Sequence, residues 1–166
     1  MCGLWGLVDF RGIDLRRDAL ETVSGQLAHR GPDGSGIYSD ELVALVHRRL
    51  AILDVTDASN QPTITADDRY VVLFTGEIYN FLELAATMGL SEHDRRSDTA
   101  VLARCLERWG LDTLHRLEGM FALAVWDARE QRLLLARDRL GKKPLVYYAD
   151  SNGGLAFASE LQALLA

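Results

Sequence analysis

Five consecutive apolar residues, Phe121-Ala122-Leu123-Ala124-Val125, constrain the fold of this chain more than any other stretch. A strand with one wet face carries a polar residue at every second position. An unbroken apolar run belongs to a strand covered on both faces. The turn sequences Asp127-Ala128-Arg129-Glu130 and Asp150-Ser151-Asn152-Gly153 join strand-like runs as hairpins rather than through helices. A second sheet on one face and helices on the other would supply that cover. The expectation is therefore an α+β fold with a sheet-on-sheet stack clad by helices.

The rest of the pattern fits that frame. Strands are predicted over Gly3–Val8, Gly36–Tyr38, Leu42–His47, Leu50–Asp54, Tyr70–Thr75, Met120–Trp126, Arg132–Arg137, Leu145–Tyr148 and Gly154–Ala158. Helices are predicted from an Asp14 cap through Ala28, over Asn80–Leu90, and from a Ser97 cap to Trp109 with Gly110 as the stop. A brief helical piece is expected near Leu111–Leu117 and another from Ser159 on, and Thr56–Asp68 reads as a polar, turn-rich segment. At 166 residues the chain is one domain, 1–166, with enough apolar residues for a sizeable core.

Composition excludes several classes. A net charge of −6 argues against a nucleic-acid surface. No segment is long enough to cross a membrane, and Gly3–Val8 is too short for a secretory signal and runs straight into Asp9 and Arg11. Two cysteines, Cys2 and Cys105, make no disulfide framework, so a cytoplasmic location is expected, with Cys105 as a core residue of a helix. The histidines at 29, 47, 93 and 115 show no metal-ligand spacing. The glycine-rich loop Gly31–Gly36 lacks the Gly-Lys-Ser/Thr sequence and the following helix that a phosphate loop requires.

Cys2 is placed unusually for a core cysteine, because chain ends fray. Once Met1 is removed, this residue carries both a thiol and a free α-amine. Their reference pKa values are close, about 8.5 and about 8, so a proton passes between them at little cost. One residue then holds a nucleophile and its base.

Three further stretches set polar groups at strand or helix ends. His47-Arg48-Arg49-Leu50 brings paired arginines into an apolar strand; Phe74-Thr75-Gly76-Glu77-Ile78 breaks a buried strand at glycine and presents a carboxylate; Arg96-Ser97-Asp98-Thr99 places Asp98 in a helix's first turn. Singly, these read as a solvated edge, a helix-start charge and a dipole-favoured carboxylate. Together they match a free amino acid. An arginine pairs with an α-carboxylate, two carboxylates with an α-ammonium, and a backbone N–H at a strand break with an oxyanion.

These residues also carry a resemblance. Cys2-Gly3-Leu4-Trp5-Gly6, His29-Arg30-Gly31-Pro32-Asp33, His47-Arg48-Arg49-Leu50, Gly76-Glu77-Ile78-Tyr79-Asn80 and Ser97-Asp98 occur with Gly119-Met120-Phe121-Ala122, Arg137-Asp138-Arg139-Leu140-Gly141, Pro144 and Ala158-Ser159-Glu160. Over its whole length the chain resembles the N-terminal glutaminase domain of glutamine-hydrolysing asparagine synthetases, class II amidotransferases of the N-terminal-nucleophile hydrolase superfamily. The resemblance implies a four-layer αββα sandwich of two antiparallel sheets between helices. It implies Cys2 as nucleophile with its own amine as base, Arg49 on the glutamine carboxylate, and Glu77 and Asp98 on its ammonium. The backbone of Ile52 and Leu53 would line the pocket, and Gly76 N–H would face the oxyanion. Glutamine would become a glutamyl thioester, releasing ammonia and then glutamate. No metal or cofactor is implied for this half. ATP and magnesium belong to a synthetase domain or partner subunit that takes up the ammonia.

Two departures stand out. The family's asparagine before Gly-Glu, the second oxyanion donor, is Thr75 here, whose hydroxyl is a shorter donor. The synthetase domain is absent from this sequence. The leading expectation is thus a glutaminase module feeding an asparagine-synthetase-like amidation. The alternatives are a degenerate amidotransferase-like binding or regulatory subunit and a stand-alone glutaminase.

Overall fold

A computed structural model describes residues 1–51 and 60–165. In chain order the elements are β1 (Gly3–Val8), α1 (Arg17–Gln26), β2 (Gly34–Ser39), β3 (Val43–Arg49), β4 (Thr63–Ile64), β5 (Tyr70–Ile78), α2 (Phe81–Met88), α3 (Asp98–Trp109), β6 (Gly119–Asp127), β7 (Arg132–Arg137), β8 (Val146–Ala149), β9 (Leu155–Ala158) and α4 (Leu161–Leu164). A 3₁₀ segment, Gly110–Arg116, follows α3. The strands form two antiparallel sheets, ordered β2-β3-β1-β9-β8 and β4-β5-β6-β7.

The apolar run in β6 is covered as its sequence requires. Phe121, Leu123 and Val125 pack with Val101, Leu102 and Leu106 of α3. Ala122, Ala124 and Trp126 face the other sheet and meet Leu4, Leu45 and Phe157. The far face of that other sheet, with Trp5, Ala44 and Val46, packs on Leu20, Val23 and Leu27 at α1. Helix, sheet, sheet, helix is the four-layer order. Each fully buried leucine in it contributes roughly 1.5–3 kcal/mol. Gly6 sits on the inter-sheet face because a Cβ there would collide with the Phe157 ring.

Several local expectations change. Asp14 does not cap α1; Arg16 precedes the first turn, because Ile13 N–H is tied to Glu41 O at 2.8 Å and keeps the chain extended. Leu50 and Ala51 are not in a strand, and the remainder of the predicted Leu50–Asp54 strand, with Ile52 and Leu53, lies outside the described residues. The turn-rich segment contains the short strand β4. Most important for the site, β5 does not break at Gly76 but stays paired with β6 to Ile78. Ser97 caps α3 by accepting from Ala100 N–H at 3.2 Å, and Gly110 ends it with φ 57°, as the sequence predicts.

His47 of β3 joins the two sheets. Its side chain is fully buried, and Nε2 donates to Phe74 O at 3.2 Å, since a carbonyl can only accept. Burial pushes the imidazole pKa down to about 4. As pH falls from 6.5 towards 4, the unfolded chain takes up a proton that the folded chain refuses. Stability is therefore present above pH 6.5 and is lost through that window, by about 3 kcal/mol in all. Urea unfolding at pH 7 and 4.5 should show a smaller drop for His47→Gln than for the parent. Equal drops would place the effect on other groups.

Candidate active site

The residue that should fray is held from four sides. Cys2 stands just before β1, whose register with β3 (Gly3 opposite Arg48) puts it level with Arg49. Its carbonyl accepts from Arg30 Nε at 3.0 Å and from Thr75 Oγ1 at 3.2 Å. Its sulfur accepts from Leu50 N–H at 3.3 Å and donates to Leu50 O at 3.6 Å. Arg30 is anchored to Glu160 at 2.7 Å, and His29 reaches the other oxygen of the same carboxylate at 2.9 Å. The Arg30 guanidinium holds the Glu160 carboxyl below the usual carboxylate range. Ser159 closes the set, exchanging hydrogen bonds with Leu4 N–H and Leu4 O. The His29-Arg30 and Ser159-Glu160 motifs thus act together on the chain's start.

The edge of β5 leaves one backbone N–H open. Phe121, opposite Gly76, turns its N–H and C=O towards Asp138 and away from β5. Gly76 and Phe121 are therefore a non-hydrogen-bonded pair, and the Gly76 N–H points away from β6. By the two-residue repeat, the N–H groups of Phe74, Gly76 and Ile78 share that edge. β4 reaches only Val71 and Val72. Phe74 N–H donates instead to Gln61 Oε1 at 2.6 Å, and Ile78 N–H to Asp98 Oδ2 at 3.2 Å. Gly76 N–H lies between them, without a partner among the described residues, in the cavity that also holds Cys2. Only glycine fits there: φ is 149°, and a Cβ would collide with Met120 O.

Arg49, Glu77 and Asp98 line the same cavity. Arg49 is buried at the end of β3, with an η nitrogen 3.1 Å from Asn60 Oδ1, so it is not on a solvated edge. Glu77 continues β5 past Gly76, and Asp98 opens α3. Asp98 is 6% exposed and also accepts from Thr99 N–H at 2.7 Å. Burial pushes its pKa up, and the neighbouring Glu77 adds to that. Thiol, cation, two carboxylates and the open N–H of Gly76 converge, as the sequence predicts. Ile52 and Leu53 lie outside the described residues. Thr75 turns its hydroxyl to the Cys2 backbone. The single hydrogen of its hydroxyl is given to Cys2 O, so it steadies the Cys2 backbone.

Sequence reasoning missed three residues here. Asn60 and Gln61 come from the turn-rich segment, where no periodicity marks a functional side chain. Lys143 reaches the cavity from the loop after β7. That loop is shaped by Asp138, whose carboxylate accepts from the N–H groups of Phe121, Leu140, Lys142 and Lys143. The Arg137-Asp138 motif was the available signal. Among the described residues no group of three or more His, Cys, Asp or Glu is arranged to hold a metal ion, and no helix is long and apolar enough to cross a membrane.

Comparison with known proteins adds to this geometry. A family model described as "Glutamine amidotransferase domain" matches residues 1–166. The chain is 36% identical over 171 residues to asparagine synthetase [glutamine-hydrolyzing] 3 of Bacillus subtilis, covering 100% of this chain and 28% of that protein. It is 39% identical over 168 residues to asparagine synthetase B [glutamine-hydrolyzing] of Escherichia coli, covering 99% of this chain and 30% of the relative. The chain thus spans less than a third of these curated relatives. Among solved structures, the glutamine phosphoribosylpyrophosphate amidotransferase of B. subtilis superposes with a TM-score of 0.72 at 18% identity, over 98% of this chain and 42% of that one. That likeness shows the shared fold.

Proposed function

Because this chain belongs to the glutamine amidotransferase domain family, we propose that it hydrolyses glutamine through a thioester on Cys2 and passes the ammonia to an ATP-dependent amidation. The observation that carries this reading is the open Gly76 N–H, set between two satisfied neighbours in the cavity of Cys2, Arg49 and Asp98.

Removal of Met1 leaves a free amine on Cys2, which takes the thiol proton. The sulfur attacks the side-chain carbonyl carbon of glutamine. A C–S bond forms, and the π pair moves to oxygen, which accepts from Gly76 N–H. When the carbonyl reforms, the C–N bond breaks and the α-ammonium returns its proton to the leaving nitrogen, giving ammonia. Water then attacks the thioester by the same route, releasing glutamate and restoring the thiol. Throughout, Arg49 holds the substrate carboxylate, and Glu77 and Asp98 hold its ammonium. Thr75 keeps Cys2 in place.

In this reading ATP and magnesium act only in the synthetase region or partner that receives the ammonia, and a reducing cytoplasm suits the reactive Cys2. Cys105 is no competitor, since burial pushes its thiol up to about 12. Glutamate release by protein shown by mass to begin at Cys2 tests the proposal. No release would overturn it.

The clamp has a pH signature. A raised pKa means that Asp98 takes a proton earlier on acidification than an ordinary aspartate, and the neutral acid no longer pairs with an ammonium. Glutamine affinity should weaken as pH falls, beginning above the ordinary aspartate range, and Asp98→Asn should bind weakly with a flatter profile. Affinity that holds constant down to about pH 4 would remove Asp98 from the clamp.

A further inference from the structure

We propose that the side-chain amide of Gln61 is the second donor to the oxyanion, in the role left open by Thr75. The assignment rests on the glutaminase reading above and names a further catalytic residue for it.

The placement begins at β2. Gly36 has no room for a Cβ because the backbone carbonyl of Gln61 packs against it. The loop carrying Gln61 therefore lies on the edge of one sheet and projects its side chain to the β5 edge of the other. Gln61 is 6% exposed, and its Oε1 accepts from Phe74 N–H at 2.6 Å. An N–H can only donate, so this bond fixes which end of the carboxamide is oxygen and leaves the NH₂ as the opposite end. That NH₂ has no hydrogen-bond partner among the described residues. It is also not among the unpaired side-chain atoms sealed from solvent, and Gln61 lines the cavity together with Cys2 and Gly76.

Spacing sets the reach that the role requires. N–H groups on one edge of a strand repeat every two residues, about 6.6 Å. The carboxamide spans about 2.3 Å of that between its oxygen and nitrogen, so the two contacts must lean towards each other by about 1.4 Å in all for the Gln61 NH₂ to come within about 2.9 Å of an oxygen on Gly76 N–H. Two competing hydroxyls are engaged as donors: Thr75 to Cys2 O and Thr99 to Asp98. In the thioester step the Gln61 NH₂ adds its hydrogen bond as the π pair moves to the substrate oxygen. It neither gains nor loses a proton.

Gln61→Glu tests this, because it keeps an acceptor for Phe74 N–H and removes the donor. Single-turnover thioester formation should slow by about 10²–10³-fold, with the half-saturating glutamine concentration changed by less than about threefold. Thr75→Asn placed in the Gln61→Glu background should recover at least about tenfold, since an asparagine amide supplies the missing donor. Gln61→Met, uncharged and of similar volume, should show the same slow step and guards against a folding effect of the new charge. An active parent whose Gln61→Glu variant matches its rate would overturn the assignment. So would a slow variant that Thr75→Asn does not rescue, which would make Gln61 a structural prop for β5. A parent that begins at Cys2 and forms no thioester would instead refute the glutaminase reading itself.

Discussion

Cys2→Ala should abolish glutamate release from glutamine, and one extra residue ahead of Cys2 should have nearly the same effect. The first change removes the nucleophile. The second leaves the thiol in place and turns the amine beside it into an amide, which cannot act as a base. In the structure Met1 lines the cavity, and its terminal ammonium donates to Arg30 O at 2.9 Å. With Met1 gone, Cys2 stays anchored, because its carbonyl is held by Arg30 and Thr75 and its sulfur by Leu50. Both variants should therefore fold and bind glutamine while failing to form a thioester. Glutamate production at the parental rate by either one would sink the mechanism.

Arg49→Ala should weaken glutamine binding by about 2–5 kcal/mol, because a buried carboxylate is left without its partner. At about 1.4 kcal/mol per factor of ten, that is roughly 30- to several-thousand-fold in the half-saturating concentration. Arg49→Lys should recover only part of it, since an ammonium cannot grip a carboxylate through two parallel N–H groups. Glutaminamide, which lacks the carboxylate, should be a poor substrate for the parent. Arg49 is already packed against Asn60, so thermal unfolding of each variant separates lost binding from lost structure. If Arg49→Ala binds glutamine as tightly as the parent, Arg49 serves the fold alone.

Much of the site was legible because its motifs are local. Gly76-Glu77 and Ser97-Asp98 each announce a backbone feature and a carboxylate within two residues, and both lie where expected. Thr75 was legible as a departure, but its partner was not: Cys2 is 73 residues away in the chain. The expected strand break at Gly76 illustrates the limit. Glycine marks a special backbone position, and the φ of 149° confirms one, yet pairing with β6 carries the strand through it. Asp14 likewise has a capping residue's chemistry, but a contact to Glu41 decides where α1 begins. Gln61 gave no signal at all, since its importance comes from Gly36 and Phe74 on two other strands.

The sequence by itself determined the class of fold and the kinds of chemistry present. The unbroken apolar run of β6 demanded two covers, hairpin turns made the sheets antiparallel, and Cys2 joined a thiol to an amine on one residue. These follow from neighbouring residues, whose burial period and turn chemistry are set within a few positions. Only the tertiary structure decided which groups meet in the cavity. The open Gly76 N–H exists because the register of β5 with β6 turns it outward, β4 stops short of it, and Gln61 and Asp98 satisfy the groups on either side. Each of those conditions is a long-range pairing, set by how two sheets and a helix pack together.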